Sequence, residues 1–219
     1  MNAEIISIGS ELLLGQIPNT DAQYISQKLA QIGIDVYYRT VIGVNRHRLL
    51  EILKTASQRS DIIITTGGLG PTLDDLTKET VSDFLGLDME LDEDSLASIR
   101  CYFEQMNRPM SDENIKQAMF PKGAIILPND RGTAPGALII DRETSYLILP
   151  GPPHELIHMF EKYALPYLKE YSDETIYSRV IKIYGMGESA VEEKIRDILE
   201  DQHNPTIAPL AGHGEVSLR

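Results

Sequence analysis

Two adjacent carboxylates, Asp74 and Asp75, follow three closely spaced glycines, Gly67, Gly68 and Gly70, in the run TTGGLGPTLDDLT from Thr65 to Thr77. Glycines accept positive φ and carry no side chain, so backbone N–H groups beside them can approach an anion closely. A helix expected to start at Thr72 would add unpaired N–H groups and the positive end of its dipole, which suits a phosphate. Asp74 and Asp75 could hold a divalent cation next to it. Phosphate plus metal is the chemistry these residue types support. The same spacing also has a purely structural reading, because Thr72 and Asp75 fit a capping box and an acid near a helix N-terminus is stabilising without any ligand. The run is neither a Walker A, since no Gly-Lys-Ser/Thr follows, nor G-x-G-x-x-G.

Three further loops carry candidate residues. Glu11, in the polar loop after the first strand, could accept from a ribose or ligate a metal; the same loop reaches Asn19, Thr20 and Asp21, where Thr20 and Gln23 have capping-box spacing. In NDRGTAPG, from Asn129 to Gly136, Thr133 and backbone amides could grip a ligand, while a tight turn with Pro135 explains much of the composition. PGPPHE, from Pro150 to Glu155, ends a strand and enters a helix whose first turn favours Glu155 through the dipole alone. His154 to His158 spells HELIH, which matches the zinc protease pattern and puts both imidazoles on one helix side. A catalytic zinc needs a third ligand and an open position, and no matched downstream acid or His stands out.

These loops need elements to present them. Glu4–Ile8 and Val36–Ile42 are β-prone, and Asp61–Thr65 is a short apolar run of the kind buried on both faces of a parallel sheet. Between them, Ala22, Ile25, Leu29 and Ile32 recur at helical spacing from a start near Asn19 to a stop at Gly33, and Arg48–Gln58 buries Leu49, Ile52, Leu53 and Ala56. The βαβαβα order predicts an α/β fold: a three-layer αβα, mostly parallel sheet whose ligands sit beyond the C-terminal strand ends. Residues 88–117 predict two short helices split at Asn107-Arg108-Pro109, forming a flap or insertion. Strands follow at Ala124–Leu127, Gly136–Ile140 and Tyr146–Leu149, the last two as a hairpin, then a helix from His154 to Leu168 that completes a domain spanning residues 1–170. A smaller α/β domain over 171–219 is expected, with a strand Thr175–Tyr184, a helix Glu188–Glu200 and strands at Thr206–Leu210 and Glu215–Leu218. Its end inside a strand suggests a fragment of a longer protein or a small domain missing its last elements.

Composition narrows the partners. The chain of 219 residues has a net charge of −13, so sequence-independent nucleic-acid binding, which rests on neutralising phosphates, is not expected. If the ligand is a phosphate ester, a metal ion must supply the missing positive charge. Cys101 is the single cysteine, which excludes an intrachain disulfide and a thiolate zinc cluster. No stretch of about 18 apolar residues exists and the chain enters a strand at once, so no membrane partner is expected and the cytoplasm is the expected location.

At IGSELLLGQIPNTD, TTGGLGPTLDDLT, NDRGTAPGALI, LPGPPHE and NPTIAPLAGHGEVSLR the chain resembles the N-terminal part of the CinA (competence/damage-inducible protein A) family, whose core has the molybdopterin-binding, MoaB/MogA-like fold. The family looks to favour Asn where this chain has Asp21. The resemblance implies hydrolysis of the ADP-ribose diphosphate to AMP and ribose 5-phosphate with a divalent cation (Mg, Co or Mn) and potassium. It also implies oligomers. Full-length members often add a nicotinamide mononucleotide deamidase domain, for which these 219 residues have no room. On this reading Asp75, Asp74 and Glu155 are catalytic and hold the metal, while Gly67, Gly68, Gly70, Glu11, Asn19 and Thr133 contact substrate. The alternatives are molybdopterin binding or adenylylation, and a non-catalytic role in competence or DNA damage through a recombination-protein partner.

Overall fold

The computed structural model describes residues 1–171, 178–212 and 214–219. By internal packing the chain divides into two compact units, Met1–Thr175 and Ile176–Arg219.

The first unit opens with β1 (Asn2–Ile8), the single turn α1 (Ser10–Leu13), α2 (Thr20–Gln31), β2 (Asp35–Ile42), α3 (Arg46–Ala56) and β3 (Ile62–Thr66). It continues with α4 (Thr77–Leu85), β4 (Met89–Leu91), α5 (Glu93–Gln105), a 3₁₀ helix (Asp112–Ala118), β5 (Met119–Pro121), β6 (Ile125–Leu127), β7 (Gly136–Asp141) and β8 (Thr144–Leu149). The last helix is α6 (Pro153–Met159), a π turn (Phe160–Ala164) and α7 (Leu165–Glu170) in succession.

The central sheet has the order β2-β1-β3-β8-β7-β6, with β1, β2, β3 and β8 parallel and β7 antiparallel to both its neighbours. Alternation on the inner strands feeds two cores. Ala3, Ile5, Ile62, Ile64, Leu147 and Leu149 pack with α2 and α6–α7 on one face, and Ile6, Ile8, Ile63, Tyr146 and Ile148 pack with α3 and α4 on the other. The three-layer α/β architecture follows, as the run of isoleucines requires when both sheet faces must be covered.

Several boundaries differ from the sequence reading for local reasons. No helix starts at Thr72: residues 71–76 form a turn, and α4 begins at Thr77. Asp75 does reach back to Thr72, accepting from its N–H at 3.1 Å and its hydroxyl at 2.6 Å, yet the Asp75 N–H bonds the Thr72 carbonyl as in a tight turn. The α2 cap is Asn19, whose side-chain oxygen accepts from Ala22 N–H at 3.1 Å, so the Thr20/Gln23 box is not the device used. The expected single helix from His154 to Leu168 widens to a π turn ahead of Pro166, which cannot donate an intrahelical bond. The insertion holds one long helix and a 3₁₀ helix, pinned by the β4–β5 ribbon and its own core of Leu96, Ile99 and Ala118.

The second unit contains β9 (Ile181–Tyr184), α8 (Glu188–Lys194), α9 (Arg196–Glu200), β10 (Pro209–Ala211) and β11 (Glu215–Leu218), with an antiparallel sheet in the order β10-β11-β9. The strand expected over Thr175–Tyr184 is observed from Ile181; residues 175–177 of it lie outside the described residues. The helix expected over Glu188–Glu200 breaks at Ile195, and the strand expected over Thr206–Leu210 sits instead at Pro209–Ala211.

Candidate functional site

The C-terminal ends of β1, β3 and β8 open onto a cavity of about 540 Å³. Glu11, Asn19, Gly67, Gly68, Gly70, Asp75, Thr133 and Glu155 all line it, so loops far apart in the chain converge where a parallel sheet binds ligands. Asp74 does not. It lines a separate shallow hollow with Val44, Arg46 and Thr77, because the tight turn at 72–75 sends neighbouring side chains to opposite sides.

The glycine loop is held by its carbonyls. Gly67 O accepts from the Thr77 hydroxyl at 2.9 Å, Gly68 O from Thr77 N–H at 3.2 Å, and Leu69 O from Gln117 Nε2 at 3.3 Å. The N–H of Gly67 returns to Leu149 O at 3.0 Å, whereas those of Gly68, Leu69 and Gly70 have no partner among the described residues. Consecutive unpaired N–H groups at a cavity wall are the kind of feature that can serve as an anion nest. Gly67 and Gly68 take left-handed φ of 92° and 68°, and a Cβ at Gly68 would lie 2.2 Å from the Thr77 hydroxyl. Gly70 is not left-handed; its need for glycine is space, since a Cβ there would lie 2.4 Å from Asp75 Oδ2.

Among the described residues four carboxylates share the cavity wall, Glu11, Asp21, Asp75 and Glu155, and no Lys, Arg or His joins them. Glu155 Oε2 accepts from Asn129 Nδ2 at 2.6 Å and packs against Gly132, so it also ties down the 129–136 loop that carries Thr133. Burial pushes the Glu155 carboxyl up, against smaller opposing pulls from Asn129 and His154. Asn19 is committed structurally at both ends, as the α2 cap and as donor to Ser7 Oγ at 2.9 Å. In the sequence Asp21 stands out only as a departure from the family pattern. In the fold its Oδ1 is buried without a hydrogen-bond partner, and burial pushes its pKa up to about 6.

The carboxylates do not assemble into a ready cage: among the described residues no group of three or more His, Cys, Asp or Glu is placed to hold a metal ion. With Asp74 turned away, the three-carboxylate set of Asp74, Asp75 and Glu155 does not form. What the cavity offers suits a cation held by one or two carboxylates together with ligand phosphates, the usual mode for Mg²⁺. Among the described residues the HELIH pair gathers no third ligand. His158 Nε2 lies 3.1 Å from Asp130, which also takes Lys162, while His154 is largely exposed.

The loop Pro150–Glu155, a candidate in the sequence, does wall the cavity with Pro150, Gly151, Pro152 and Pro153, whereas sequence reasoning missed Gln117. A Cβ at Gly151 would stand 3.3 Å from Gly67 Cα, a closeness that only the fold creates, and Gln117 had no local signal at all.

Residues 4–170 match the family model of the molybdopterin-binding domain, and residues 178–219 match that of the damage-inducible protein CinA KH domain. The chain is 53% identical over its whole length to a competence-damage inducible protein of Caldanaerobacter subterraneus subsp. tengcongensis and 56% identical to one of Thermoanaerobacter sp. (strain X514). It spans about half (53%) of the length of each of these curated relatives. Among solved structures, the protein CinA of Thermoplasma acidophilum aligns at a TM-score of 0.70 and 31% identity, covering 77% of this chain and 97% of that one. A molybdopterin biosynthesis protein of Mycobacterium abscessus aligns at 0.52 and 17% identity over 78% of this chain and 92% of its own, a likeness of fold alone. With both units matched and a relative structure covered almost entirely, the chain belongs to the CinA family of competence/damage-inducible proteins, and its first unit to the molybdopterin-binding domains.

Proposed function

We propose that the cavity hydrolyses the diphosphate of ADP-ribose or a related nucleotide, giving AMP and ribose 5-phosphate from ADP-ribose. The observation that carries this reading is the pairing, among the described residues, of three unpaired backbone N–H groups with four carboxylates and no basic side chain in one cavity. An N–H nest selects an anion, and the surrounding acids would repel that anion unless a cation accompanied it. A diphosphate bound with a divalent cation satisfies both demands. When bound there, the cation supplies positive charge against the phosphate oxygens as charge develops on them.

The chain's own groups divide the remaining work. The N–H groups of Gly68, Leu69 and Gly70 hold phosphate oxygens, and being fixed by their carbonyl bonds they need little reorganisation as charge grows. Asp75, locked onto Thr72, presents a carboxylate whose position does not depend on side-chain freedom. Glu155, made more basic by burial, accepts the proton of the attacking water. Thr133 and Glu11 border the cavity where sugar hydroxyls would lie.

The test is AMP formation from ADP-ribose, read by chromatography with Mg²⁺, Mn²⁺, Co²⁺ or chelator, each with and without potassium. Turnover is expected only with a divalent cation, and Asp75→Asn is expected to lower it about a hundredfold or more, as losing a group that acts on transition-state charge does. Near-normal turnover by that variant would remove Asp75 from the mechanism. The match of residues 4–170 to molybdopterin-binding domains supports a second reading, binding of molybdopterin at the same nest. Calorimetry of the two ligands against the full chain separates them.

A further inference from the structure

The element that aims the last N–H of the nest lies outside the central sheet. A peptide unit is planar, so the direction of each carbonyl fixes the N–H of the following residue. Gly67 O and Gly68 O are both held by Thr77, which therefore sets the Gly68 and Leu69 N–H groups. Leu69 O is held by the side-chain amide of Gln117, in the 3₁₀ helix of the insertion, and this bond sets the Gly70 N–H. Lys116 next to it donates to Thr72 O at 2.9 Å, so the same short helix grips the loop on both sides of Gly70 and Pro71.

Gln117 is itself fixed from three directions. It is almost fully buried; its Oε1 accepts from Asn114 Nδ2 at 3.0 Å, and its backbone carbonyl accepts from buried Lys78 Nζ at 2.6 Å. Asn114 in turn accepts from Ser111. The orientation of the Gln117 amide follows from this chain, because only its nitrogen can face the Leu69 carbonyl once its oxygen faces Asn114. A buried glutamine whose amide nitrogen and oxygen each have a partner is more than packing demands, and it borders the cavity beside the nest.

Resting on the anion-site reading above, we propose that Gln117 is a positioning residue for phosphate: it fixes the Gly70 N–H, so that the insertion sets the grip of the loop on the anion. The role differs from a general structural one in being confined to one of three adjacent amides.

The experiment is a titration of the ¹⁵N-labelled full chain with Mg²⁺-pyrophosphate, following the amide signals of Gly68, Leu69 and Gly70. Wild-type chain is expected to shift all three. Gln117→Met, which keeps length and loses the donor, is expected to abolish the Gly70 response, preserve those of Gly68 and Leu69, and weaken pyrophosphate about tenfold, the fold-change of one lost hydrogen bond. Lys78→Met, which leaves the Gln117 side chain in place but frees its backbone anchor, is expected to reduce the Gly70 response in part, and it serves as the test if Gln117→Met does not fold. An unchanged Gly70 response in either folded variant, or equal loss at all three amides, overturns the positioning role. A wild-type chain silent at all three overturns the anion site itself, and the role of Gln117 with it.

Discussion

Lys78 is nearly fully buried in the first turn of α4, with its Nζ 2.6 Å from Gln117 O and 4.1 Å from the Phe120 ring centre. Burial lowers its pKa from 10.5 to about 7, with Glu79 opposing the shift and Lys116 adding to it. Replacing it by Met removes a charge that the folded interior disfavours. The unfolded chain binds the Lys78 proton up to about pH 10.5 while the folded chain releases it near pH 7, so between those values the unfolded state holds more protons and wild-type stability rises with pH. The full span corresponds to about 5 kcal/mol, and the part recovered between about pH 7 and pH 9.5 is about 3 kcal/mol. Met also strands the Gln117 carbonyl, at a cost of about 1–3 kcal/mol, but that cost does not vary with pH. Urea unfolding followed by circular dichroism should therefore show the stability difference, wild type minus Lys78→Met, to be flat below about pH 6 and then climbing about 1.4 kcal/mol per pH unit above 7. A difference that stays level from pH 7 to 9.5 refutes the burial argument, whatever its absolute value.

Asp21→Asn removes a carboxyl whose folded pKa of about 6 lies above its unfolded 3.8, so the stability associated with its protonated form is complete below about pH 4 and lost as pH rises through 6. The variant should gain about 1–2 kcal/mol at pH 7, a figure reduced for the partial exposure of the group, and nothing at pH 3.5 or below; equal gains at both pH values would show that charge burial is not the cause. Gly68→Ala forces a left-handed residue and a Cβ into the Thr77 hydroxyl, and should cost about 1–3 kcal/mol while eliminating pyrophosphate binding; calorimetry showing wild-type affinity would take the nest out of the site.

Much of the first unit is legible in its sequence because isoleucine-rich strands and amphipathic helices state their burial locally. Ile5 and Ile6 face opposite cores through simple alternation, and the pattern Ala22, Ile25, Leu29 gives the inward face of α2 without knowledge of the sheet. Boundaries set by one side chain were less legible: Asn19 competes with Thr20 as a cap, and Thr72-x-x-Asp75 can close a turn as readily as open a helix. The π turn before Pro166 was not legible, because proline chemistry is equally consistent with a kink or a stop.

The sequence by itself determined which residue types could meet a phosphate: glycines without side chains, acids, a threonine, all at the ends of expected strands. Only the tertiary structure decided which of them share a cavity, sending Asp75 in and Asp74 out across a single tight turn and bringing Asp21 and Gln117 to the wall. The physical reason is range. Periodicity and glycine conformational freedom act over a few residues, whereas the bond from Gln117 to Leu69 spans 48 positions and exists only once the insertion has folded against the loop.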